Sequence, residues 1–251
     1  MPILLAQEDC GQYYQFYEQD AQRIDHVALE ELSFFRQKLE TVVERMLRIG
    51  VEKDVAILDA GCGDGVLLKM LKAAGFTNVW GADISPNRAR RACLVNGGRV
   101  VVTDLEKTGL GPDSFKVIIA SEILEHVPDV QNFLSNCRTM LCPGGFLMIT
   151  TPSAIRWKDW PRRLWSGKKL KDFSKDPGHL RFLDRSELFN MCRAAGLEKT
   201  WSSSASILPE RIWEYLERDI PGAYRNIDRI LRLVPVVNQG GAFTVAQFVR
   251  K

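Results

Sequence analysis

The sequence predicts an α/β fold built on a doubly wound, largely parallel sheet. Three observations carry this. The stretch from Val55 to Leu71 passes from a short apolar run, through a turn with glycine at every second position, into apolar residues at helical spacing. Strand-like and helix-like segments then alternate five times, as far as Thr150. Three successive strands carry an acid at or near their ends, Asp59, Asp83 and Asp104.

Length and composition narrow the class. A chain of 251 residues suits a single domain spanning 1–251, with a core of about 50–150, 180–205 and 242–251 and cap insertions at about 151–178 and 206–240. A net charge of +3 is too small to argue for nucleic acid. The six cysteines form no C-x-x-C pair, so no metal site is expected from them, and they read as reduced residues of a cytoplasmic protein. No apolar run reaches the roughly 18 residues of a membrane span. Met1 to Leu5 is too short for a signal peptide and lacks its basic start.

Each element has its own signal. A first helix is expected from about Asp20 to Ile49, with Leu32, Phe35, Leu39, Val42, Met46 and Ile49 at three- and four-residue steps and Gly50 ending it. The run Val55 to Ala60 is the first strand. Asn78 to Asp83 is the second, followed by Ser85 as N-cap and Pro86 at the first helical position. Arg99 to Leu105 is the third and Ser114 to Ala120 the fourth. A helix runs from about Asp129 to Met140, and Leu141 to Thr150 is the fifth strand. Asp184 with Glu187 reads as a capping box for a helix that closes at Gly196. Leu197 to Ser204 and Ala242 to Val249 are further strands. Between them, Trp213, Leu216, Ile220, Ile227, Ile230, Leu231 and Val234 have the spacing of an inserted helical cap.

The glycine turn defines a cofactor class. Glycines let backbone approach a ligand where a Cβ would collide, and the following helix offers unpaired N–H groups. A dinucleotide turn reads G-x-G-x-x-G. Here Gly61 and Gly63 fit, but Val66 takes the third position. Asp59 would repel a pyrophosphate but accept a hydrogen bond from an ammonium group, which suits an amino-acid-bearing cofactor better than NAD. Asp83, 22 residues beyond Gly61, can accept both ribose hydroxyls of an adenosine or serve as a structural cap.

The set L-D-A-G-C-G-D-G, G-A-D-I-S, D-L, S-E-I-L-E-H-V, L-C-P-G-G and G-H-L-R-F resembles the small-molecule, quinone-biosynthesis branch of the class I S-adenosylmethionine (SAM) methyltransferases. The resemblance covers about Val55 to Gly196. It implies a Rossmann-like seven-stranded sheet, mostly parallel, with the last strand antiparallel beside the sixth. It also implies SAM as cofactor. The backbone of Gly61, Cys62 and Gly63 would border the methionine part, with Asp59 orienting the turn or reaching the amino group. Asp83 would take the ribose, with Ile84 packed beside the adenine. Asp104 and Leu105 would take the adenine, although Asp104 also reads as a turn-forming residue. The Ala120–Ser121 backbone would reach the methionyl end.

Methyl transfer to a hydroxyl needs a base, because a neutral alcohol is a poor nucleophile. His126, just beyond the fourth strand, is the first candidate and His179 the second. Either can instead brace the site, and His26 reads as structural. The acceptor is expected to be a small or lipid- or phosphate-linked molecule, methylated at oxygen or carbon. The competing readings are an NAD-type oxidoreductase and a non-catalytic regulatory protein of the same fold.

Two further segments stand out. Tyr13, Tyr14, Phe16 and Tyr17 in residues 9–18 suit either a flap over the cofactor or a packed surface turn. Residues 156–175 carry eight basic residues against two acids, a local charge of +6, interleaved with Trp157, Trp160, Trp165 and Phe173. This suits an anionic acceptor or a peripheral contact with the inner face of an anionic membrane. A solvated loop and, less favoured, single-stranded nucleic acid are the alternatives.

Overall fold

The computed structural model describes residues 4–5, 33–153, 179–208, 222–235 and 237–250, with positions 212, 215, 216, 218 and 220. The aromatic segment at 9–18, the first helix before its described start and the basic insertion at 156–175 lie outside the described residues.

In chain order the elements are β1 (Leu4–Leu5), α1 (Ser33–Arg48), β2 (Ile57–Ala60), α2 (Val66–Ala73), β3 (Val79–Asp83), α3 (Pro86–Asn96) and β4 (Val100–Val102). These are followed by β5 (Phe115–Ser121), α4 (Val130–Met140), β6 (Leu141–Pro152), α5 (Arg185–Ala194), β7 (Leu197–Ala205), α6 (Ala223–Leu231) and β8 (Phe243–Arg250). The sheet order is β1-β4-β3-β2-β5-β6-β8-β7. Pairing is parallel from β1 through β6, and the last strand, β8, runs antiparallel to both β6 and β7. The seven expected strands are all present. Leu4–Leu5 adds a two-residue strand at the edge, on β4.

Helices cover both faces of the sheet, which is why its central strands are apolar throughout rather than alternating. Ile57, Ile119 and Met148 turn toward the layer of α1, α2 and α3. Their neighbours Leu58, Ile118 and Leu147 turn toward α4 and α5. Each such side chain contributes about 1.5–3 kcal/mol by leaving water.

Local signals in the sequence explain most boundaries. Ser85 caps α3 by accepting the Arg88 N–H, with Pro86 first in the helix. Asp129 caps α4, and Asp184 with Glu187 forms the expected capping box on α5. β4 is shorter than expected: the Thr103 N–H still donates to the Asp83 carbonyl at 3.0 Å, but Asp104 then turns the chain by accepting the Glu106 N–H.

The cap helix α6 meets α1 through polar groups more than through its apolar stripe. Ile220, Ile230 and Val234 are exposed, while Tyr224 and Asp228 face inward. Arg225 pairs with Glu40 at 3.1 Å, Arg229 pairs with Glu44, and Arg232 donates to Thr41 Oγ1 at 2.5 Å. The end of β5 meets α1 through Glu122, whose carboxylate lies 3.4 Å from the Lys38 ammonium. Among the described residues, no helix is long and apolar enough to cross a membrane.

Candidate active site

The first half of the site is the glycine turn after β2. The Gly61 and Cys62 N–H groups both donate to the Ala82 carbonyl, at 2.8 and 2.9 Å, which pins the turn to the tip of β3. The three glycines have different reasons to be there. A Cβ on Gly61 would lie 2.8 Å from Ile123 Cδ1, and one on Gly65 would lie 3.0 Å from Ala92 Cα. Both are needed for packing within the protein. Gly63 is left-handed at φ +51°, and the nearest atom to its Cβ position is an Arg88 nitrogen at 3.8 Å. The space over Gly63 is open, which suits a ligand. Cys62 offers only its backbone, because its thiol is buried against Gly81. Burial, reinforced by Asp83 and Asp59, pushes that thiol well above its ordinary range.

The acids lie where the sequence reading placed them. Asp59 is buried on β2, in register with Gly81 and Ile119. Asp83 ends β3. Its Oδ2 accepts the Gly63 N–H at 2.8 Å and its Oδ1 the Ser85 N–H at 2.9 Å. It therefore braces the turn and the lead-in to α3, whose N-cap is Ser85 and not Asp83. Burial raises its carboxyl, while the Ser85 N–H, Arg88 and the Gly63 N–H oppose the rise. Each carboxylate oxygen can accept a second bond, so a ribose hydroxyl is still accommodated. Ile84 is half-buried beside it. Asp104 forms the expected turn, its Oδ1 accepting the Glu106 N–H at 2.9 Å. Leu105 is buried in the core layer under that loop.

The second half gathers at the end of β5. The Thr150 hydroxyl donates to Glu122 Oε1 at 2.9 Å, so the Ser121 hydroxyl, 2.9 Å away, donates to Thr150. Glu122 is left-handed at φ +53°, unusual for a residue with a side chain. Its Oε2 lies 3.4 Å from the ammonium of Lys38, a buried residue of α1. Glu125 is also buried. Its Oε2 accepts the Thr151 hydroxyl at 3.3 Å, and its Oε1 is without a hydrogen-bond partner. Burial first, then the neighbouring Glu122, pushes its carboxyl well above the usual range.

The two candidate histidines meet. The His126 and His179 rings stand edge to face, with centroids 4.7 Å apart. One ligand atom each from Glu125, His126 and His179 lie within 4.8 Å of one another. Two imidazoles and a carboxylate are donor types that transition-metal ions take, a grouping the expectation of no metal site did not consider. That expectation followed the cysteines, which take no part. The group is assembled by Arg181, whose guanidinium donates to the carbonyls of Leu124 (3.2 Å), Pro128 (2.8 Å) and Val127. The Leu180 N–H donates to the Glu125 carbonyl at 2.8 Å. Lys38, Glu122, Glu125 and Arg181 were not singled out in the sequence. The acids were visible inside S-E-I-L-E-H-V and Arg181 inside G-H-L-R-F, without a role assigned to them, but nothing local marks Lys38.

A family model described as a methyltransferase domain matches residues 31–201. The chain belongs to the methyltransferase family. It is 26% identical over 231 residues to a ubiquinone biosynthesis O-methyltransferase of Cereibacter sphaeroides, covering 85% of this chain and 86% of that one. Among solved structures, a SAM-dependent methyltransferase of Thermotoga maritima matches with a TM-score of 0.64 and 17% identity, over 96% of this chain and all of the other. The magnesium protoporphyrin IX methyltransferase of Synechocystis, solved with S-adenosylhomocysteine (SAH), gives 0.60 and 15%, with 96% and 100% covered. At these identities the structures speak for the fold. This methyltransferase is a class I, SAM-dependent enzyme, which sets aside the oxidoreductase and the non-catalytic readings.

Proposed function

We propose that this methyltransferase transfers the methyl group of SAM to a hydroxyl oxygen of a small-molecule acceptor, with His126 removing the hydroxyl proton. The observation that carries the reading is His126 beside His179 and Glu125, just past the end of β5. Ligands of doubly wound sheets bind at that edge. The named O-methyltransferase relative supports oxygen as the acceptor atom. SAM would sit over the glycine turn, its methionine part along Asp59, Gly61, Cys62, Gly63 and Ser121. Asp83 and Ile84 would hold the ribose side, and Asp104 and Leu105 the adenine. The protein's task is to align the acceptor oxygen with the methyl carbon, exclude water and accept the proton.

A second reading rests on the same group. Glu125, His126 and His179 would hold a divalent cation that binds the acceptor oxygen and lowers its pKa. The unpartnered Glu125 Oε1 favours it. The test is methylation of a catechol by labelled SAM, before and after chelation. Activity lost to chelator and restored by manganese or zinc selects the cation. Activity indifferent to chelator but lost in His126→Gln selects the base. Activity indifferent to both overturns the site.

The basic, tryptophan-rich segment 156–175 follows β6 in the sequence. Its charge of +6 supports a peripheral contact with anionic lipid or a phosphate-bearing acceptor. Vesicle sedimentation at two salt concentrations, with Arg162, Arg163, Lys168 and Lys169 changed to Ala, tests it. Equal binding to neutral and anionic lipid would sink it.

A further inference from the structure

Lys38 is a charge where a helix in this position needs none. It is 4% exposed, and its ammonium stands 4.5 Å from the centroid of Phe243 and 5.8 Å from that of Phe35. A buried ammonium is costly unless it is paired, and its carboxylate partner is Glu122, at 3.4 Å. Glu122 is itself strained. A left-handed backbone on a residue with a side chain is strained and persists only where the surroundings enforce it. Here they do so from two sides. The Glu122 N–H donates to the Thr150 carbonyl at 3.0 Å, and the carboxylate is held between the Thr150 hydroxyl and Lys38.

The chain of contacts continues to the cofactor side. Thr150 gives its proton to Glu122, so it takes one from Ser121. Ser121 closes β5, whose register places Ala120 opposite Ala60, the last residue before the glycine turn. A helix otherwise outside the site therefore reaches the β5 end through one ammonium, one carboxylate and two hydroxyls.

We infer that Lys38 is a positioning residue for the cofactor: through Glu122 and Thr150 it fixes the Ser121 end of β5 in the geometry that receives the methionyl part of SAM. The inference rests on the placement of Ser121 at that end of the cofactor. It also links cofactor binding to the cap, because α1 carries the residues on which α6 is pinned, Glu40, Thr41 and Glu44. Retention of cofactor then depends on α1 staying docked.

Calorimetric titration of the full-length protein with SAH tests this without an acceptor. Lys38→Met keeps the aliphatic stem and removes the charge, and SAH binding should weaken about tenfold. Lys38→Arg should restore it to within about twofold, since an arginine can reach the same carboxylate. Glu122→Gly separates positioning from simple stability. Made together with Lys38→Met, so that no buried ammonium is left unpaired, glycine adopts this backbone without strain and the melting temperature should hold, while SAH affinity still falls. The double variant Lys38→Met/Glu122→Gln should lose no more than either single one. Unchanged SAH affinity in Lys38→Met or Glu122→Gly overturns the inference, as does additive loss in the double variant or no recovery in Lys38→Arg. Failure of the wild-type protein to bind SAH would instead overturn the cofactor site itself.

Discussion

The two halves of the site are built in different ways. The cofactor half is local. Asp59, Gly61, Cys62 and Gly63 are nearly consecutive, Asp83 ends β3, and Asp104 lies two residues beyond β4, the next strand along the sheet. Backbone geometry holds that half together, with paired N–H groups on the Ala82 carbonyl and on Asp83. The β5 half is assembled from afar. Lys38 comes from α1, Glu122 to His126 follow β5, Thr150 and Thr151 come from β6, and His179 to Arg181 precede α5. Side-chain contacts make that assembly. A backbone-built site is damaged by adding a side chain, and a side-chain-built site by removing one.

The largest effect is expected in the cofactor half. Gly63→Val places a branched side chain in open space at a left-handed position, where the cofactor would lie. Binding of SAH should fall by more than about 100-fold, since the hydrogen bonds and the contact surface are lost together. Circular dichroism should show the fold retained. Normal SAH binding by this variant would mean that the turn is not the cofactor seat. The corresponding loss in the other half is chemical. His126→Ala should lower turnover by about 100-fold or more, with SAH affinity within about twofold of wild type. A loss confined to SAH affinity would make His126 a brace of the cofactor half and erase the distinction.

Arg181 sharpens the comparison. Its guanidinium holds three carbonyls of the Leu124–Pro128 loop and so sets His179 against His126. Arg181→Met should cost roughly tenfold in turnover, with SAH binding almost unaffected. Equal losses in both would show that the loop serves the whole site.

The same difference explains what could be read in advance. Strand runs, the Ser85–Pro86 cap, the Asp184–Glu187 capping box and the glycine turn are short-range signals, because a backbone conformation constrains residues a few places apart. The structure contains each of them. The meeting of His126 with His179, and of Lys38 with Glu122, depends on which side chains face each other after the sheet has folded. Residues 53 and 84 positions apart then come together, and no local spacing encodes that. Asp83 lies between the two cases. Its position was legible, but its two backbone hydrogen bonds, which make it a brace as well as a candidate ligand, were not.

The smallest effect concerns the cap, which is pinned on α1 at Glu40, Thr41 and Glu44. Asp228 on α6 is fully buried. Its Oδ1 accepts the Ile207 N–H at 2.6 Å and its Oδ2 lies 3.1 Å from Arg232 Nε. Burial pushes its carboxyl from 3.8 to about 6, reinforced by Glu44 and opposed by the Ile207 N–H and Arg232. The folded protein thus holds this proton more tightly than the unfolded chain does. The resulting stability is fully present below pH 3.8 and is lost as pH rises through about 6. Asp228→Asn does not titrate, yet its side-chain oxygen can still accept the Ile207 N–H. Its stability relative to wild type should therefore increase from pH 5 to pH 8, by about 1 kcal/mol or about 3 °C in melting temperature. The Arg232 pair acts on the ionised carboxylate and is already contained in this pKa, so the direction of the slope is unchanged. Melting curves of both proteins across that range decide it. A difference that does not vary with pH would mean that Asp228 stays ionised in the folded protein and that the cap is held by its ion pairs alone.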